Sequence, residues 1–267
     1  MFHAKNGVLA LEKHTMDYIS FGSGRETLIM LPGVGDGLRT VKGTALPFAW
    51  MYRAFAKQYT VYVFSRVNSL EVGYTTKDMA HDVNLAMNAL GITGASVIGV
   101  SQGGMIAQYL ALDYPDHVKK LVLAVTLSKQ NDTVQKVIHS WLKMARNEDY
   151  KQIMIDTAER SYSEQYLRTH RWIFPLMGSI GKPKDFSRFI IQAESCLTHN
   201  TYNSLALIKC PTLVLGGGKD RIVGAAASQE IAGQISNSEL HIFEEFGHAA
   251  YEEAKDFNQR ILMFLDK

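Results

Sequence analysis

Cysteine is nearly absent: Cys196 and Cys210 are the only two in 267 residues. One possible bridge is no disulfide framework, so the core must hold the fold, and a reduced, cytoplasmic protein is expected. Charge imbalance is also scarce. The 28 Lys and Arg against 26 Asp and Glu leave a net +2, scattered along the chain, which argues against nucleic acid or an anionic membrane as partner. No apolar run approaches the roughly 18 residues of a membrane span, and residues 1–11 lack the apolar stretch of a secretory signal. There is no internal repeat and no low-complexity tract. No His, Cys or carboxylate grouping has metal-ligand spacing, so neither a metal nor a cofactor is implied.

With 46% hydrophobic residues, the chain can bury a large core. Apolar, β-branched runs predict strands at 8–11, 16–21, 27–31, 59–64, 97–100 and 120–125. Helical spacing of apolar residues predicts helices over 47–57 and from Thr76, as cap, to Gly91. Strand and helix alternate from 27 to 126, which implies parallel strands with right-handed crossovers in an open α/β sheet. The alternation stops over 129–205, where amphipathic segments carry Trp141, Trp172, Phe174, Met177, Phe186 and Phe189. It resumes with strands at 212–215 and 239–243 and helices at 225–235 and 250–265. The reading is a core formed by 1–128 and 206–267, with 129–205 as a helical cap inserted after the sixth strand.

The stretch around Ser101 organises the rest. The buried run 97–100 changes at Ser101 to helical spacing, with Met105, Ile106, Tyr109, Leu110 and Leu112 on the apolar positions. A strand that becomes a helix within about two residues bends sharply and strains the residue at the bend. Glycine is needed two positions either side, and Gly99 and Gly103 stand there, giving Gly99-Val100-Ser101-Gln102-Gly103. The turn lifts the Ser101 hydroxyl above the strand ends and leaves the Gln102 N–H at a helix start.

A neutral serine hydroxyl needs a general base, and the base an orienting carboxylate. Parallel sheets collect such groups at the carboxyl ends of their strands. Asp220 follows the strand at 212–215, and His248 follows the strand at 239–243. Asp132, beyond the strand at 120–125, is a second candidate for the acid; Asp220 is preferred because its loop fits better, whereas Asp132 begins the cap. His81, on the helix after Thr76, reads as a surface polar residue. Two glycine clusters fail as nucleotide sites. Gly33-Val34-Gly35 lacks the third glycine of a dinucleotide fingerprint, and Gly216-Gly217-Gly218-Lys219 lacks the Ser/Thr of a phosphate loop.

With Leu31-Pro32-Gly33-Val34-Gly35, the elbow followed by Gly104, Pro211-Thr212-Leu213-Val214 with Asp220, and Gly247-His248, the chain resembles the α/β-hydrolase superfamily over essentially its whole length. The resemblance implies Ser101 as nucleophile, His248 as base and then acid, Asp220 as the orienting residue, and backbone N–H groups of Val34 and Gln102 as an oxyanion hole. Two departures bear on substrate choice. Pro32 stands where many relatives have His, and Ser65-Arg66-Val67-Asn68 replaces the usual Asp-x-Arg-Gly loop.

The expected activity is serine hydrolysis of a carboxylic ester or lactone of a small, fairly apolar molecule, the only partner implied. Trp141, Trp172 and Phe174 are candidate pocket residues in the cap. C–C bond hydrolases, thioesterases, amidases and iminopeptidases would use the same triad. A ligand-sensing protein with slow turnover on this scaffold is the alternative from another class.

Overall fold

The structure, a computed structural model, describes residues 2–267. Eight strands form one sheet: β1 (Lys5–Leu11), β2 (His14–Phe21), β3 (Glu26–Leu31), β4 (Tyr59–Val67), β5 (Ala95–Val100), β6 (Val118–Ala124), β7 (Thr212–Gly217) and β8 (Ser238–Phe243). Their spatial order is β1-β2-β4-β3-β5-β6-β7-β8. The β1–β2 and β2–β4 pairs are antiparallel, and all later pairs are parallel. This is the mostly parallel α/β sheet that the alternation of elements requires.

The helices are α1 (Ala45–Met51), α2 (Thr76–Ala89), α3 (Gln102–Asp113), α4 (Asp132–Arg146), α5 (Tyr150–Ser161), α6 (Glu164–His170), α7 (Ile173–Met177), α8 (Ser187–Thr198), α9 (Ala227–Ala232), α10 (Ala250–Glu253) and α11 (Phe257–Leu265). Central strands covered on both faces must be apolar on both, as β5 is. Its Val97 faces a core shared with α2, α3 and α9, and its Ile98 faces a second core shared with α1, α10 and α11. Helices α4–α8, with no strand among them, lie between β6 and β7; α4, α5 and α8 pack in a third core around Val137, Trp141 and Phe189 that also takes in Met105 of α3 and Ile222 and Val223 beyond β7. Among the described residues no helix is long and apolar enough to cross a membrane. Cys196 and Cys210 are both free.

Register brings the carboxyl ends of the parallel strands together. Leu31 pairs with Gly99, Val100 with Ala124, Ala124 with Leu215, and Gly217 with Phe243. The residues that follow β3, β5, β7 and β8 therefore emerge along one edge.

Several boundaries differ from those read in the sequence. The helix over 47–57 is seven residues, ending at Met51; the chain then turns so that Phe55 enters the core. The run 250–265 is two helices, because Ala254 is extended (ψ 113°) and its turn seats Phe257 in the second core. Neither break carries proline or glycine, so tertiary packing alone makes them. The α2 cap is Thr75, in a capping box with Asp78. Thr76 is buried instead, with its hydroxyl 3.0 Å from Nδ1 of His199. The helix over 225–235 shortens to Ala227–Ala232.

Asp82 is the costly residue of α2. Tyr74 donates to its carboxylate at 2.8 Å, yet burial pushes the carboxyl up from 3.8 to about 6. The folded state thus retains this proton to higher pH than the unfolded chain. Stability falls as pH rises between those two values and stays reduced above them. Asp82→Asn is expected to stabilise the protein by up to about 3 kcal/mol at about pH 7.5 and to change little at about pH 3.5. Urea unfolding at the two pH values measures it, and an equal effect at both would discard this account.

Candidate active site

Ser101 joins β5 to α3 with φ 54° and ψ −120°. A non-glycine residue so placed costs about 1–3 kcal/mol and persists only where its surroundings fix it. Here the Ser101 N–H donates to the Ala124 carbonyl at 2.9 Å, and the Ser101 carbonyl accepts from the Thr126 hydroxyl at 2.7 Å. Val125, between those partners, is also left-handed (φ 43°), and its N–H donates to Leu215 at 2.8 Å. Two left-handed residues, just past the ends of β5 and β6, are therefore each fixed by bonds to the neighbouring strand or its end.

The glycines around Ser101 are there for clearance. A Cβ on Gly103 would lie 1.9 Å from the Leu31 carbonyl oxygen, and one on Gly99 would lie 2.4 Å from the Gly103 oxygen. Helix α3 can start against the end of β3 only because both are bare. Gly33 follows that end; a Cβ there would sit 3.3 Å from the Ser101 Cβ and 3.7 Å from its Oγ. The next residue, Val34, opens a 3-10 turn (Val34–Gly37), as Gln102 opens α3. N–H groups at such positions have no partner in their own turn.

His248 and Asp220 meet at the same edge. His248 Nδ1 lies 2.8 Å from Asp220 Oδ2, with both side chains buried. The other carboxylate oxygen, Oδ1, accepts from the N–H groups of Ile222 at 2.8 Å and Val223 at 3.0 Å. The carboxylate is thus held on both oxygens and fixes the imidazole ring. Gly217 permits this approach, since a Cβ there would lie 2.2 Å from the Gly247 carbonyl. Asp132 is the exposed first residue of α4.

A buried polar network lies behind Gln102, and sequence reasoning missed it. Arg66, at the end of β4, donates through Nη2 to the Gln102 side-chain oxygen (2.9 Å) and the Pro32 carbonyl (2.5 Å). Its backbone N–H donates to Asp36 Oδ2 at 3.0 Å. The same oxygen accepts from Arg188 at 3.1 Å and Gln192 at 3.3 Å, both on α8. The Gln102 amide nitrogen donates to the Gln192 carbonyl (2.6 Å) and the Ser195 hydroxyl (3.1 Å). Burial lowers the Arg66 pKa, opposed by the Asp36 charge, and Nε and Nη1 of Arg66 have no partner. The one signal available beforehand was a lone arginine ending a buried strand, with an aspartate in the glycine loop, since such charges require partners. Burial also pushes the nearby Cys196 thiol up to about 12.

The three aromatic residues expected to line a pocket sit elsewhere. Trp141 is buried within the third core, its indole N–H on Asp156 at 2.8 Å. Phe174 packs with Ala158 and Leu167, its ring stacked on Tyr162. Trp172 is 70% exposed. The cavity that reaches Gly33 and Val100 has about 330 Å³ and is walled by α1 and by α10–α11 instead. A larger one, about 630 Å³, lies at the amino ends of the strands, around Glu26, Tyr59 and Ser96.

The chain matches the family described as the alpha/beta hydrolase fold over residues 26–155. RutD of Variovorax paradoxus, a protein named for carbamate hydrolysis, is 30% identical over 210 residues, covering 74% of this chain and 75% of that one. A 2-hydroxy-6-oxononadienedioate/2-hydroxy-6-oxononatrienedioate hydrolase of Paraburkholderia phymatum is 27% identical over 286 residues, 93% of this chain and 90% of the relative. Among solved structures, the enol-lactonase from Burkholderia xenovorans superposes with a TM-score of 0.84 at 19% identity, covering 98% of this chain and 100% of that one. The chain belongs to the α/β-hydrolase family. These relatives are named as hydrolases, which supports a hydrolase here as well.

The glycine clearances give a stability test. Gly103→Ala is expected to cost at least about 3 kcal/mol, because backbone must move to admit the methyl group. Gly35, where a Cβ would meet nothing within 4 Å, should tolerate alanine within about 0.5 kcal/mol. Denaturant unfolding of the two variants checks the contrast.

Proposed function

We propose that the protein is a serine hydrolase that cleaves a carboxylic ester or lactone of a small, uncharged, mostly apolar molecule. The observation that carries this reading is the buried His248–Asp220 pair, 2.8 Å apart, on the same sheet edge as the strained Ser101 turn. In this reading Ser101 Oγ attacks the carbonyl carbon while His248 takes its proton. The Asp220 carboxylate on Nδ1 holds the ring in the tautomer whose Nε2 accepts, and it stabilises the imidazolium that forms. The negative oxygen of the tetrahedral intermediate is held by the N–H groups of Val34 and Gln102, each unpaired within its own turn. His248 returns the proton to the leaving alcohol, an acyl group stays on Ser101, and water releases it through the same base.

C–C bond hydrolysis is the second reading, favoured by the name of the Paraburkholderia phymatum relative. A dioate such as that relative's name describes carries two carboxylates, which call for cations. No Lys or Arg lines the cavity beside Gly33. Of the two guanidiniums behind Gln102, that of Arg188 is engaged by Asp36 and backbone carbonyls, and that of Arg66 by the Pro32 carbonyl and the Gln102 side chain, with its Nε and Nη1 unpartnered. The lack of a cation in the cavity lining favours an uncharged substrate. Residues 129–205, taken as a cap, then roof the Ser101 edge through α4 and α8.

Intact-mass measurement with p-nitrophenyl butyrate, alongside a lactone and a dienedioate, is expected to show an acyl adduct on Ser101 with the ester, absent in Ser101→Ala. Asp220→Asn retains an oxygen for the Ile222 and Val223 N–H groups but places an NH2 group against His248 Nδ1, forcing the wrong tautomer. It should lower kcat by up to about ten-thousand-fold with the fold intact, whereas Asp132→Asn changes kcat by less than about threefold. Turnover of the dienedioate in preference to every ester would establish the second reading.

A further inference from the structure

The cavity of about 330 Å³ beside Gly33 is lined by residues of the second core and by none of the third. Its floor is Met30, Val63 and Ile98, which point from β3, β4 and β5 into the second core. Phe48 and Met51 of α1 with Tyr52 after it form one wall, and Tyr251, Phe257 and Ile261 form the other. Its inner end is Pro32, Gly33 and Val100. Those residues flank the proposed oxyanion donor Val34 and the nucleophile Ser101. Gly33 has no side chain to separate the space from Ser101, whose Oγ would be only 3.7 Å from a Cβ there. An apolar space among well-packed strands and helices is unusual, since cores fill such gaps at a cost of a few methylenes. This one stays open where the reacting carbon would sit.

The polar groups in the lining define what fits. There is no cation, and Glu252 stands at the cavity, holding the Tyr162 hydroxyl at 2.5 Å. A carboxylate-bearing ligand would meet like charge without compensation. The side-chain oxygen of Asn258 is buried with no partner, and burial pushes the Tyr52 phenol up to about 12, so it remains a neutral donor. At about 30 Å³ for a water-sized group, the volume holds on the order of ten non-hydrogen atoms.

We propose that this cavity is the acyl subsite, taking an uncharged alkyl or alicyclic acyl chain of medium length, with the alcohol part of the ester lying outside it on the His248 side. The inference rests on the serine-hydrolase reading above and adds the substrate class to it. The leaving oxygen must lie at His248 to receive its proton, while the acyl chain extends from the carbon held between Ser101, Val34 and Gly33. The chain-length preference of the protein is thereby set by α1 and α11, not by the helices between β6 and β7.

Two ester series separate the parts: p-nitrophenyl alkanoates from acetate to decanoate, and alkyl acetates from ethyl to octyl. The ratio of kcat/KM for octanoate over acetate is expected to exceed tenfold in the natural protein. It should fall at least tenfold in Phe48→Trp, which fills the cavity, and shift toward longer chains in Phe48→Ala. The alkyl acetates should show no such response. An octanoate-to-acetate ratio indifferent to Phe48, or a response confined to the alkyl acetates, overturns the acyl assignment while leaving the hydrolase reading intact. Binding is read independently of turnover by calorimetry of N-methyloctanamide on Ser101→Ala. Phe48→Trp in that background should weaken it at least tenfold, as should an ω-carboxylate on the ligand. If no ester turns over and no adduct forms, the hydrolase reading fails, and this binding still decides the cavity. No binding of N-methyloctanamide, or equal binding by Phe48→Trp, overturns the proposal.

Discussion

The near-contact of the α3 start with the carboxyl end of β3 is the constraint on which the candidate site depends. Only a bare Gly103 permits it, since any side chain would run into the Leu31 carbonyl. That approach brings the loop after β3 close to the Ser101 side chain, where a Cβ on Gly33 would lie 3.7 Å from Oγ. It also forces Ser101 into a backbone conformation that strands and helices do not use. The strain is offset by the Ser101 N–H bond to Ala124 of β6 and by the Ser101 carbonyl, which accepts from the Gly104 N–H of α3 and from the Thr126 hydroxyl. Preorganisation of this kind is what electrostatic stabilisation of a transition state requires, because the dipoles need not reorient during reaction.

Behind the turn, a charged network does what apolar packing could not. Arg66 spans the two loops that carry the Val34 and Gln102 donors, touching Pro32 on one and the Gln102 side chain on the other. Asp36 gathers Arg66, Arg188 and Gln192 on one oxygen. Buried charges seldom add net stability over a well-packed hydrophobic substitute. Their directional bonds do fix a register, and here the register is that of β4, the glycine loop and α8 about one carboxylate.

The mostly parallel sheet and the serine turn were legible because they rest on local rules: periodicity, glycine at a bend, and polar residues past strand ends. The pairing of Asp220 with His248 followed from chain order. The break at Ala254 and the early end of α1 were not legible, because no residue type marks them and packing of Phe55 and Phe257 decides them. The third core misled for a related reason. An aromatic in an insertion reads the same whether it faces a ligand or its own helices, and Trp141 faces its own. The apolar cavity was invisible for the opposite reason. Its walls come from α1, three strands and α11, which are ordinary core-forming sequence, and only their assembly leaves a space.

Two of the attachments that fasten the segment between β6 and β7 to the rest are unlike. Helix α8 is joined through Arg188, Gln192 and Ser195 to buried partners. The α5–α6 junction is joined near the surface by Tyr162 on Glu252, and further in by Ser163 on Glu253 and by the buried Ser161 carbonyl, which accepts from the Ala249 N–H at 3.0 Å. Bonds near the surface exchange readily with water and contribute about 1 kcal/mol each, whereas unseating α8 would strand buried charges at several times that cost. The exposed Tyr162–Glu252 bond is therefore the cheaper of these links to break, and α8, seated on the Asp36 carboxylate, is the costlier helix to displace.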